Sequence, residues 1–272
     1  DVRPSWISRI RSFRSDHRRA LPVLPFVSDR TTVDADLMIA SSSGWSHGFR
    51  GAGKKLVYCY SPARWLYQRD VYLGGRANPL MGAALDIMHR PLIRWDQAAQ
   101  ATADRYIAIS RVVQDRIFDA YGRRAIVIPA PLPDNVSARP QPIEHPWFAA
   151  HLNFLLTVSR LLPYKNVDAV VGALKRLPGY SLVVVGAGPE GARLRQQAPP
   201  NVLFLEALTD SEMSWLYDGC DALVAASYED FGLTPLEAAS HGKPSIVLAA
   251  GGYLDTMTDG GTAVFFDEPT PT

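Results

Sequence analysis

Two glutamates eight residues apart, Glu229 and Glu237, bracket the stretch Phe231-Gly232-Leu233-Thr234-Pro235. An apolar run, Ala222 to Ala226, precedes them and an Ala-rich segment follows, so the stretch reads as strand, loop and helix. A glycine in that turn leaves backbone amides facing outward at a helix N-terminus, which favours an anion. Thr234-Pro235-Leu236-Glu237 also spells a capping box with proline at its first helical position, which would give Glu237 a purely structural role. That role leaves Glu229, Phe231 and Gly232 without an explanation.

Two further groups follow apolar runs. Arg160 and Lys165 leave the run Phe154–Val158, and an arginine fork beside a lysine point charge suits a diphosphate. Two basic residues in a loop are otherwise simply solvated. Gly186-Ala187-Gly188-Pro189-Glu190-Gly191 leaves Leu182–Val185 and matches G-x-G-x-x-G, with Glu206 twenty residues beyond Gly186. That is the spacing of a dinucleotide fingerprint and makes an NAD-dependent oxidoreductase the rival function. Only Ala192 to Ala198 remain for the crossover helix before Pro199-Pro200, and Pro189 removes an amide from the turn. A structural glycine turn is the preferred reading.

The elements that must position these groups alternate. Strands are expected at Phe154–Val158, Leu182–Val185, Val202–Leu205, Ala222–Ala226, Ser245–Leu248 and Ala263–Phe266, separated by helical segments, which implies a parallel sheet covered on both faces. The first half promises strands at Leu37–Ala40, Leu56–Tyr60, Tyr106–Ala108 and Ala125–Ile128, a long helix over Leu80–Ala101, and a helix opened by Ser110 with Gln114 and closed by Gly122. Leu21 to Pro25 reads as a connector and Asp34-Ala35-Asp36 as a surface turn. Gly48 to Lys55 nearly spells a phosphate-binding loop, but Lys55 replaces its Ser/Thr and a strand follows where a helix is required. Prolines at 129, 131, 133, 140, 142 and 146 mark a linker. The expected division is a domain over 1–130, a linker over 131–148 and a domain over 149–272.

At 272 residues and net charge +1, the chain suggests two α/β domains and gives no reason to propose nucleic acid. Cys59 and Cys220 lack the spacing of a zinc site and read as reduced, buried thiols. No apolar run is long enough for a bilayer, and no leader pattern opens the sequence, so the expected location is cytoplasmic. Arg3, Arg9, Arg11, Arg14, Arg18 and Arg19 interleave with Trp6, Ile7, Ile10 and Phe13. A basic amphipathic helix of this kind suits peripheral contact with the inner membrane face, or covers part of the core.

Taken as a set, Glu229 and Glu237, the embedded Phe231-Gly232-Leu233-Thr234-Pro235, the Arg160/Lys165 pair and Gly186-Ala187-Gly188-Pro189 resemble the family 4 retaining glycosyltransferases. Ser41 to Gly48 and Tyr58 to Trp65 are similar to a bacterial mannosyltransferase branch of surface polysaccharide synthesis. The resemblance runs from about Asp36 to Asp267. It implies the GT-B fold: an α/β chain of two Rossmann-like doubly wound domains facing a cleft, the first incomplete here. It also implies a sugar, mannose, moved from GDP-mannose or a UDP-sugar to a glycolipid or polysaccharide acceptor, with no metal and no cofactor beyond the donor.

Residue by residue, the resemblance puts the donor diphosphate on Arg160 and Lys165, the ribose hydroxyls on Glu237 and the hydroxyls of the transferred sugar on Glu229. Gly186, Gly188 and the amides of Phe231, Gly232, Leu233 and Thr234 would lie against the donor, as would Gly251-Gly252. Relatives carry histidine where Tyr60 stands, and His47 is the candidate substitute. They also extend beyond both ends of this sequence, so a non-catalytic nucleotide-sugar-binding fragment is a third reading.

Overall fold

The computed structural model describes residues 10, 23–68, 79–132 and 138–270. The chain divides into two compact units, Asp1–Pro129 and Ala130–Thr272. The basic amphipathic segment proposed for the first twenty residues lies almost wholly outside the described residues.

The first unit holds α1 (Leu24–Arg30), β1 (Leu37–Ser42), β2 (Lys54–Cys59), α2 (Arg64–Tyr67), α3 (Pro79–Ala101), β3 (Arg105–Ala108), α4 (Arg111–Tyr121) and β4 (Ile126–Val127). Its four strands are parallel in the order β1-β2-β3-β4. Where a connector is expected, Pro25 sits in the first turn of α1, a position that needs no amide. Gly122 closes α4 in the left-handed conformation, its N–H donating to Phe118 O at 2.7 Å. Ser110 caps that helix, but Gln114 donates to Ala125 O and completes no capping box.

Alternation along β1 divides the sheet's two faces. Met38, Ala40 and Ser42 are buried, whereas Leu37 and Ile39 are 52% and 67% exposed. Leu37–Ala40, whose apolar run reads as a short buried strand, is therefore buried on one face only.

The second unit contains α5 (Trp147–Ala150), β5 (Leu155–Val158), α6 (Val167–Leu174), β6 (Leu182–Val185), α7 (Gly191–Gln197), β7 (Val202–Leu205), α8 (Asp210–Gly219), β8 (Ala222–Ala225), α9 (Leu233–Ser240), β9 (Ser245–Leu248), α10 (Tyr253–Thr256) and β10 (Ala263–Phe266). All six strands are parallel, in the order β7-β6-β5-β8-β9-β10. This is the doubly wound order, in which the chain works outward from the sheet's centre in both directions. Every residue of β6 is buried, which explains its unbroken Leu-Val-Val-Val run. One apolar cluster gathers Leu156, Val183, Leu216 and Val247, and a second gathers Val171, Leu182, Val184 and Leu194.

β5 and β8 are the adjacent strands at which the order reverses. The crevice outside their carboxyl ends is where a doubly wound sheet binds ligands. The loops that leave these two strands carry Arg160 and Lys165 from one and Ser227 to Thr234 from the other.

Candidate functional site

The chain after β5 turns through a short 3-10 segment, Pro163–Lys165, and enters α6 through Asn166. Asn166 adopts φ 53°, a left-handed backbone that asparagine tolerates better than most residues. Its side-chain amide donates to Ala226 O at 2.9 Å and ties this loop to the end of β8. Tyr164 brings the two cations to a common partner. Arg160 donates to its hydroxyl at 3.3 Å, and Lys165 Nζ lies 5.2 Å from its ring centroid, within cation–π range. Arg160 is exposed and Lys165 is largely covered.

Lys165 Nζ donates to Glu229 Oε1. Both side chains are mostly buried, at 12% and 22% exposed, so the pair is poorly screened and either charge alone would be costly. Ser227 donates to the same carboxylate oxygen at 2.6 Å, and its hydroxyl lies 3.3 Å from that of the buried Tyr253. Burial and the neighbouring Glu229 charge both push the Tyr253 phenol up, so it stays protonated. Lys165 and Ser227 thus share Glu229 Oε1.

The next turn explains its glycines. Gly232 has φ 84°, and a Cβ there would come within 2.4 Å of the Tyr253 ring. Gly251 and Gly252 press against the same loop from beneath. Gly252 N–H donates to Glu229 O at 2.8 Å, and a Cβ on Gly251 would come within 2.4 Å of that carbonyl oxygen. Their visible task is to seat the Glu229–Gly232 loop. Phe231 is buried, Thr234 half-buried and Leu233 more open.

The capping box expected at Thr234 to Glu237 does not form. α9 begins earlier, at Leu233, with Gly232 as its N-cap and no side-chain cap. The orphan amides of its first turn therefore have no capping side chain and face the Glu229 loop's end of the helix. Glu237 instead accepts a hydrogen bond from Tyr217 Oη at 2.5 Å through Oε2. Tyr217 is 4% exposed, and burial and the Glu237 charge push its phenol up, so it acts as a fixed donor from α8. The capping box of this half lies elsewhere, at Thr209 and Glu212.

The Gly186–Gly191 turn holds no dinucleotide geometry. Gly186 has φ 145°, and a Cβ would fall 1.9 Å from Ser159 O; one on Gly188 would fall 2.3 Å from Leu161 O. These glycines let the loop after β6 lie against the loop that carries Arg160. α7 has only seven residues, and Glu206 pairs with Arg195 at 3.5 Å. The oxidoreductase alternative loses its support.

His47 is in the first unit and does not face solvent. It is 2% exposed, with Nε2 3.0 Å from the fully buried Asp96 Oδ1, an ion-pair distance whose alignment falls short of a hydrogen bond. Ser42 Oγ lies 3.3 Å from Nδ1 and Tyr67 donates to Asp96 Oδ2 at 2.7 Å. A histidine enclosed in this way cannot touch a sugar, so its candidacy as a catalytic group is withdrawn. Tyr60 is 39% exposed and stands edge-on to Tyr58. Cys59 and Cys220 are buried and in no disulfide.

The site residues brought together are Arg160, Lys165, Glu229 and the start of α9, with Glu237 one turn farther along that helix. Tyr164, Asn166, Tyr217, Ser227 and Tyr253 complete the arrangement. Among the described residues no three His, Cys, Asp or Glu side chains converge as a metal-binding group, and no helix is long and apolar enough to cross a membrane.

The sheet order defines a Rossmann-like α/β domain, and solved structures share the α/β fold of this chain. Sucrose-phosphate synthase from Thermosynechococcus elongatus superposes with a TM-score of 0.60 at 19% identity, over 80% of this chain and 56% of that one. Anabaena HepE, solved in complex with UDP-glucose, gives 0.56 at 18% identity, over 92% of this chain and 82% of that one.

Residues 147–272 match the family described as Glycosyl transferases group 1. Similar curated proteins include D-inositol 3-phosphate glycosyltransferases. That of Mycobacteroides abscessus is 32% identical over 114 residues, 38% of this chain and 26% of the relative. That of Mycobacterium tuberculosis is 33% identical over 38% of this chain and 24% of the relative. The match thus spans about a quarter of these relatives' length.

Proposed function

We propose that this chain is the donor-binding part of a retaining glycosyltransferase that moves a sugar from a nucleoside-diphosphate donor to a glycolipid or glycan acceptor. The observation that carries this reading is the convergence of Lys165 and Glu229 where the sheet order reverses, within the region that matches the Glycosyl transferases group 1 family. GDP-mannose is the donor implied by the sequence resemblance. The UDP-glucose held by HepE makes a UDP-sugar the alternative to test. The acceptor side belongs at the inner face of the cell membrane, reached through the basic first twenty residues.

The division of labour follows from charge. A diphosphate takes Arg160, Lys165 and the uncapped first-turn amides of α9, because cations and a helix N-terminus both favour negative charge. Carboxylates repel phosphate, so Glu229 and Glu237 take hydroxyls. Glu237 has one oxygen held by Tyr217, which turns the other toward a ribose diol. Glu229 Oε1 is engaged by Lys165 and Ser227, leaving Oε2 for hydroxyls of the transferred sugar. As the glycosidic carbon departs, charge develops on the leaving phosphate oxygens. Lys165 and Arg160 stabilise it more than they stabilise the intact donor, the role of an oxyanion hole, and no metal is needed for it.

A panel of GDP- and UDP-sugars, read first by calorimetric binding and then by turnover with membrane extract, tests the reading. Saturable binding of one nucleotide class, with release of its nucleoside diphosphate in the presence of acceptor, is the expected result. Binding without release assigns a non-catalytic donor-binding role, and no binding of either class overturns the reading.

A further inference from the structure

The Gly48–Lys55 stretch, which fails as a phosphate-binding loop followed by a helix, lines a cavity in the first unit. The cavity measures about 460 Å³ and is walled by Asp29, Phe49, Arg50, Lys55, Trp95 and Thr102, with glycines 48, 51 and 53 between them. It lies at the amino end of β2 and beside the last turns of α3, away from the strand ends that carry Tyr60.

Lys55 is the unusual group. It is 4% exposed, yet among the described residues no carboxylate lies within ion-pair distance of its ammonium. Nζ donates to His47 O at 2.9 Å and to Thr102 Oγ1 at 2.6 Å, both neutral acceptors. An ammonium has three protons, so one donor and the whole charge remain for the cavity. Buried charges are ordinarily paired, because an uncompensated one costs several kcal/mol. Burial, and next the Arg50 charge, hold the Lys55 pKa below its ordinary value; Asp104 opposes them.

Arg50 stands on the same wall, exposed and 3.2 Å from Asp29 at the rim. An exposed pair of this kind is weak and readily exchanged for a better acceptor. Gly51 and Gly53 are required for the wall itself: a Cβ at either would come within 2.6 Å of Val33 O or 2.1 Å of Ala35 O. The indole of Trp95 supplies an apolar surface.

We propose that this cavity is an anion site that takes the phosphoryl group of a small phosphorylated molecule, with Lys55 and Arg50 as its cations and Trp95 beside the organic remainder. Two cations match a dianion better than a single carboxylate, and the volume is in the range of small-ligand pockets. Its residues all belong to the first unit, whereas the nucleotide groups on β5 and β8 belong to the second.

The test is calorimetric titration of the whole chain with inorganic phosphate and with a phosphomonoester, phenyl phosphate, at constant ionic strength. Three variants accompany the native chain: Lys55→Met, Arg50→Gln and the double variant Arg160→Ala/Lys165→Ala. Saturable binding is expected in the native chain and in the double variant. It should weaken by about tenfold or more in Lys55→Met and by roughly threefold to tenfold in Arg50→Gln. Arg50 is exposed, so Arg50→Gln gives an answer even if Lys55→Met does not fold. No saturable binding to the native chain overturns the proposal. So does binding unchanged by Arg50→Gln and, where it folds, Lys55→Met. Binding lost in the double variant and kept in the other two places the anion at the nucleotide site and also overturns it.

Discussion

Lys165 from the loop after β5 and Glu229 from the loop after β8 meet through a hydrogen bond, with Ser227 on the same carboxylate oxygen. The pair closes the point where the sheet order reverses, so a phosphate that engages Lys165 competes with Glu229 for it. Glu229→Gln removes the competitor's charge. Affinity for a nucleoside diphosphate without sugar should then hold or rise, whereas affinity for the intact nucleotide sugar should fall by about tenfold. Calorimetry with the two ligands separates these effects.

Tyr217 fixes one oxygen of Glu237 at 2.5 Å from within the core. Tyr217→Phe keeps the ring and removes the donor, leaving the carboxylate free to rotate. The expected loss of stability is about 1–2 kcal/mol in urea unfolding. A purely structural role would stop there. A positioning role also narrows the affinity gap between the ribonucleotide and its 2′-deoxy analogue.

Gly232 combines a left-handed backbone with close approach to Tyr253, whereas Gly122 has φ 65° and open space, with nothing within 4 Å of where a Cβ would stand. Gly122→Ala should cost about 1 kcal/mol from backbone conformation alone. Gly232→Ala should cost roughly 2–4 kcal/mol, because the Tyr253 ring must also move. The same change should weaken nucleotide-sugar binding, since Tyr253 supports Ser227. Chemical denaturation of both variants makes the comparison.

Cys220 gives a pH dependence with a definite sign. Burial pushes its thiol from 9.0 up to about 11. The unfolded chain therefore loses this proton first as pH rises, which favours unfolding. Below pH 9 the group contributes no penalty; between pH 9 and about 11 it removes stability, by about 2–3 kcal/mol in all. Stability profiles of the native chain and Cys220→Ala should run parallel below pH 9 and converge above it. Alkylation of native Cys220 at pH 8 should be slow for the same reason.

The strands of the second unit are legible because they read as short, mostly apolar runs, most clearly the fully buried Leu182–Val185: this run, Val202–Leu205, Ser245–Leu248 and Ala263–Phe266 have the same limits in sequence and structure. The start of α9 is not. Thr234 and Glu237 have capping-box spacing, but Gly232 reaches a left-handed conformation and starts the helix two residues sooner. Thr209 and Glu212 have the same spacing and do form the box, so spacing alone cannot choose between them. In the site, residue types announce Arg160, Lys165, Glu229 and Glu237. Their partners do not announce themselves: Tyr164, Tyr217 and Tyr253 look like core aromatics until the fold brings their hydroxyls to polar groups. His47 shows the converse. A histidine in a Ser/Gly loop suggests access to substrate, yet the fold turns it inward to Asp96.

The central claim, that Arg160 and Lys165 hold a nucleoside diphosphate at the β5–β8 junction, is tested most directly by thermal unfolding with and without GDP or UDP. A ligand at a hundredfold excess over its Kd should stabilise the native chain by about 2.7 kcal/mol. In the Arg160→Ala/Lys165→Ala variant, at the same ligand concentration, that stabilisation should vanish. A shift of equal size in the variant would contradict the assignment.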